Sequence, residues 1–123
     1  MDCQKIASIP WVFALTKENE YEDGLPHTRT NIIFLSTNVD QTPLKLVSIL
    51  IHEKIHIYQR LYPEETMNFL AVHGYYRWKQ RFGVPRIRSN PDLDPWIYFN
   101  PVSKQPMIAY YTSDTPNNIH QLN

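Results

Sequence analysis

Between Pro43 and Pro63 the chain runs from Leu44 to Tyr62 without a glycine or another proline. Proline favours the first position of a helix and cannot continue one, so a run bracketed in this way predicts one long α-helix. Thr42 stands where an N-cap is needed, and Arg60 stands where a cation suits the negative pole of the helix dipole. Leu44, Val47, Ile51, Ile55 and Tyr58 recur at steps of three and four, as a buried helical face requires. Leu46, Leu50, Ile57 and Leu61 add a second apolar flank. A helix apolar around so much of its girth is expected in the middle of the fold.

Inside this run lies His52-Glu53-Lys54-Ile55-His56, the pattern H-E-x-x-H. Residues four apart on a helix project from one face, one turn above the other, so two imidazoles can converge on a single ion. Glu53 is offset from His52 by about 100° around the axis. It can reach a water beside the ion without competing as a ligand. His52 and His56 are therefore the expected zinc ligands and Glu53 the expected general base of a metal-dependent hydrolase. The plainer reading is a helix that carries two histidines for packing or solvation. Against it, the pair interrupts a row of Ile, Leu and Val, where imidazoles and a carboxylate are costly to bury without partners. A bound dication removes that conflict. Lys54 and Ile55, between the ligands, are expected to be structural.

With 123 residues the chain has the length of one small domain with one core, 1–123. Twelve basic and twelve acidic residues cancel, which argues against broad attraction to nucleic acid or to an anionic membrane. The single cysteine, Cys3, excludes a disulfide within the chain and suits a reducing compartment. Ile9 to Leu15 is too short an apolar run for a signal peptide, and no stretch has the length to span a bilayer. A soluble cytoplasmic protein is expected, with release by cell lysis left open.

Along the rest of the chain, Trp11 to Leu15 is short, apolar and β-prone, and Thr16 to His27 reads as a polar, acidic loop. Thr30 to Ser36 is the best strand candidate, followed by a turn at Asn38-Val39-Asp40. After Pro63 a second helix is expected over Glu64 to Phe82. Acidic residues open it, Met67, Leu70, Ala71, Gly74 and Trp78 form its apolar stripe, and Gly83 and Pro85 end it. The short link at Pro63 predicts a helical hairpin, with Gly74 allowing close approach. Six of the ten prolines lie from Pro85 onward. There Ile87 to Asn90, Trp96 to Phe99 and Met107 to Thr112 are candidate short strands, and an extended segment wrapping the helices is expected. Asn90-Pro91-Asp92-Leu93-Asp94-Pro95 reads as a rigid acidic turn.

A catalytic zinc site usually has three protein ligands and a water. The extended motif with a glycine at 59 and a third histidine at 62 is excluded, because those positions hold Gln59 and Tyr62. Glu64 and Glu65 lie near the far end of the first helix. His73, Asp92, Asp94, Asp114 and His120 are the remaining candidates.

Residues 52–65, H-E-K-I-H-I-Y-Q-R-L-Y-P-E-E, together with 88–98, R-S-N-P-D-L-D-P-W-I-Y, resemble a group of short zincin-like proteins of large DNA viruses and environmental microbes. The resemblance runs over most of the chain from Thr28 onward. It implies an α+β fold: a minimal zincin-like domain with a central HExxH helix packed on a second helix, a small sheet and an extended Pro-rich C-terminal segment. By analogy with such folds, the strand upstream of the motif helix would form the edge of a cleft, with Pro26-His27-Thr28-Arg29 near its mouth, although an ordinary solvated loop is the favoured reading of that segment. It also implies a zinc-dependent peptidase acting on peptide or protein substrates, with an oxyanion donor to be sought among Tyr110, Tyr111 and His120. In that group the third ligand is a Glu in a segment beyond the position of Asn123. The present sequence stops at Gln121-Leu122-Asn123 without it. Three readings stay open: the sequence is truncated, another residue substitutes, or the site is impaired.

Two rivals remain. One is a protein that binds zinc without catalysis. The other is a metal-free interaction module whose aromatic residues, 13% of the chain, serve as interface anchors.

Overall fold

The computed structural model describes residues 1–80, 86–88, 92 and 95–116. It is an α+β fold, as expected, and its contacts divide into two compact units, Met1–Pro63 and Glu64–Asn123.

The first unit carries the motif helix. A short helix, α1 (Cys3–Ser8), begins at Asp2, whose carboxylate accepts from the Gln4 and Lys5 backbone N–H groups. Three strands follow, β1 (Phe13–Thr16), β2 (His27–Arg29) and β3 (Ile32–Ser36), in the spatial order β1-β3-β2. β1 runs parallel to β3, with Phe13 opposite Ile33, and β2 runs antiparallel to it, with Thr28 also opposite Ile33. The expected loop over Thr16 to His27 thus gives way to strand at both of its end residues, and a short 3-10 turn (Glu22–Gly24) lies inside it. The expected strand begins at Ile32 rather than Thr30, because Thr30 adopts φ +52 in the tight turn between β2 and β3. That strand is central, and β1 and β2 are the edges.

The long helix, α2, spans Pro43–Leu61, with Pro43 in its first turn and Thr42 at the N-cap. Thr42 makes no side-chain cap. Instead Asp40 Oδ1 accepts from both the backbone N–H and the hydroxyl of Thr42, a local turn that leads the chain into the helix. The hydrogen bonds from Thr42, hydroxyl first, hold the Asp40 carboxyl below the ordinary aspartate range. At the other end Arg60 does more than face the dipole. Its Nη2 donates to Thr28 Oγ1, and its Nη2 and Nε both donate to the Thr30 carbonyl, at 3.0 and 3.2 Å. One guanidinium thereby fastens β2 and its turn to the end of α2.

The core consists of Ile9, Ile33, Leu35, Ile57 and Tyr58, with Ile6, Val39, Ile49, Leu50 and Tyr62 packed around it. Tyr58 is fully buried, and its hydroxyl accepts from the Asp2 backbone N–H at 3.1 Å. The apolar face expected from periodicity is only partly the buried one. Tyr58 is inside, whereas Leu44, Val47 and Ile51 are exposed. Glu53 and Lys54 take interior positions instead.

In the second unit, α3 (Pro63–Val72) opens with Glu64 and Glu65 in its first turn. It stops ten residues short of the expected end at Phe82, whose own position, with Gly83 and Pro85, lies outside the described residues. Gly74 ends the helix. It adopts φ +83, its N–H donates to the Ala71 carbonyl, and the Tyr75 N–H donates to the Leu70 carbonyl. This paired closure is the Schellman arrangement, which favours glycine at this position. A Cβ on Gly74 would come within 2.8 Å of the Pro101 Cβ, so the glycine serves as a terminator and a close-contact point, not a member of a helical stripe. β4 (Arg77–Gln80) then pairs with β5 (Trp96–Phe99), which pairs with β6 (Pro106–Met107), all antiparallel. The candidate strand at Trp96 to Phe99 is therefore present. The one at Met107 to Thr112 is reduced to β6 plus a bridge from Tyr110 to Ile87. Within 87–90, only residues 87 and 88 are described. Among the described residues of this unit, Ile97 is the buried apolar side chain.

No helix among the described residues is long and apolar enough to cross a membrane.

Candidate metal centre

The motif sits in the middle of α2, where neither end of the helix frays and the i, i+4 relation holds its full geometry. His52 Nε2 and His56 Nε2 lie 3.0 Å apart, with their rings nearly perpendicular at 84°. Two imidazole nitrogens on a tetrahedral zinc, each about 2.0–2.1 Å from the ion, stand about 3.3 Å apart. A small opening of the pair brings both nitrogens to ligand distance, so the donor set and its spacing fit a zinc ion.

Glu53 is 4% exposed, and a carboxylate oxygen lies within 4.8 Å of a His56 ring nitrogen. The helix that brings the histidines together thus also sets the acid beside His56. Its burial withholds it from bulk water, where its interaction with a cation would be weakened. Lys54, 5% exposed, turns away from this group. Its ammonium lies 3.9 Å from the Trp11 ring centre and 3.5 Å from the Ala7 carbonyl at the end of α1. That is a structural placement, with the charge held by a carbonyl and an aromatic face.

A residue that the motif alone does not mark completes the local geometry. Gln59 Oε1 is 2.9 Å from His56 Nδ1. Its sequence signal is its position three residues after His56, on the same helical face.

The other candidates lie in the second unit. His73 directs Nδ1 to the Phe69 carbonyl at 2.8 Å and packs its ring on Phe69. Asp114 is held by Arg86, whose hydrogen bond, reinforced by its charge, keeps the carboxyl below the ordinary range. Tyr110 pairs with Ile87, and the Tyr111 N–H donates to the Arg86 carbonyl. Asp92 is half-buried. Asp94 and His120 lie outside the described residues. His27, expected on a loop, is buried on β2, with Nδ1 3.0 Å from the Leu25 carbonyl and its ring stacked on Phe34.

No family model, curated protein or solved structure matches the chain, so the candidate site rests on its own geometry.

Proposed function

We propose that this protein is a zinc-dependent hydrolase of the zincin-like kind, acting on peptide bonds. His52 and His56 hold the metal and Glu53 is the general base. The observation that carries this reading is the 3.0 Å convergence of the two Nε2 atoms on successive turns of α2, with the buried Glu53 carboxylate within 4.8 Å of a His56 ring nitrogen. Zinc held there supplies Lewis acidity and lowers the pKa of a water. Glu53 takes a proton from the attacking water and returns it to the leaving amine. The two imidazoles, fixed on one rigid helix, orient the reacting group relative to that carboxylate.

A second reading keeps the metal and drops the turnover. H-E-x-x-H specifies two ligands and a base and leaves the third protein ligand to be found among His73, Asp92, Asp94, Asp114, His120 or a residue beyond position 123. One set of measurements separates the readings. The purified protein should carry zinc in near-stoichiometric amount, His52→Ala and His56→Ala should lose it, and Glu53→Gln should keep it. Cleavage of a peptide library should fall by at least about 100-fold in Glu53→Gln, the lower end of what general-base catalysis contributes. Zinc binding without cleavage selects the second reading, and a zinc-free protein rejects both.

A further inference from the structure

We infer that Gln59 is a positioning residue that fixes the tautomer and ring orientation of His56. The inference rests on the zinc reading for its purpose but not for its geometry. His56 Nδ1 lies 2.9 Å from Gln59 Oε1, and His56 Nε2 lies 3.0 Å from His52 Nε2. An amide oxygen accepts and cannot donate, so His56 carries its proton on Nδ1 and presents a lone pair at Nε2. His56 is thus oriented with Nε2 toward His52 Nε2, where a cation would be shared.

Gln59 is well placed for this task because it stands three residues after His56 and needs no contribution from another element. Partners that accept from the remote nitrogen of a ligating histidine hold its ring and raise its basicity, and their loss typically weakens metal binding about 10- to 100-fold. Gln59 supplies that support within the same helix that supplies the ligand.

The test compares the full chain with Gln59→Leu, which keeps volume and removes the acceptor, and with Gln59→Glu, which keeps an acceptor. In metal-free protein at pH 8, long-range proton–nitrogen NMR should find the His56 proton on Nδ1 in the parent and in Gln59→Glu, and spread over both nitrogens in Gln59→Leu. Competition titration with zinc should show a loss of about 10- to 100-fold in Gln59→Leu and recovery in Gln59→Glu, while thermal unfolding of the metal-free forms stays level. A parent His56 that carries its proton on Nε2 would overturn the inference, and so would a Gln59→Leu protein with unchanged tautomer and zinc affinity. If the parent binds no zinc yet shows the Nδ1–H tautomer and loses it in Gln59→Leu, the metal reading fails and the tautomer assignment stands.

Discussion

On one face of α2, Leu50, Glu53, Lys54, Ile57 and Tyr58 turn inward; on another, Leu44, Val47 and Ile51 face outward. Leu44 is 86% exposed and Ile51 is 51% exposed, while the two charged residues between the histidines are almost fully covered. Hydrophobicity alone would sort these residues the other way. The comparison teaches that position relative to the sheet and α1 decides burial, and that each inward charge has been given neighbours suited to it. Lys54 has a carbonyl and an indole face. Glu53 has a histidine beside it. The helix therefore keeps polar groups where a purely structural helix would keep leucine.

The comparison can be broken at four points. The largest effect should come from Ile57→Ala on the inward face, a loss of about 2–5 kcal/mol in denaturant unfolding, as for other buried aliphatic truncations. Next is Lys54→Ala, expected to cost about 1–2 kcal/mol through the lost cation–π contact, carbonyl bond and stem packing. Lys54→Met, which keeps the stem, should lose clearly less. If Met proves as damaging as Ala, the charge matters more than the packing. On the outward face, Ile51→Gln should change stability by no more than about 0.5 kcal/mol. A cost approaching that of Ile57→Ala would mean that this face is covered in solution.

The smallest effect concerns the start of the helix. The Asp40 carboxyl is depressed in the folded state by its hydrogen bonds from Thr42. Its contribution is therefore full above the unfolded value of about 3.9 and disappears as pH falls through the lower folded value. The difference in melting temperature between the parent and Asp40→Ala should be present at pH 7 and shrink on acidification below about pH 4. A difference that persists at low pH would assign the effect to the turn's shape rather than to its charge.

Some of this was readable from the chain alone. The bounds of α2 follow from Pro43, Pro63 and the unbroken run between them, and the i, i+4 spacing of His52 and His56 then follows from helix geometry. These are local facts, and local sequence encodes them. Reading Gly74 as a small residue on a stripe carries the second helix past its end, because glycine after an apolar run is also a stop signal. Its true end depends on φ +83 and on Pro101, which is distant in sequence.

The sequence by itself therefore determined a long helix, the pair of imidazoles on it and the acid next to them, because a 3.6-residue turn leaves no other arrangement. Tertiary structure alone decided which apolar stripe was buried. Periodicity offered two stripes of similar strength and could not say where the sheet would lie. Arg60 holding Thr28 and Thr30, and Tyr58 receiving the Asp2 N–H, join residues 32, 30 and 56 positions apart. Those contacts exist only once the chain has folded back on itself, so no window of sequence contains them.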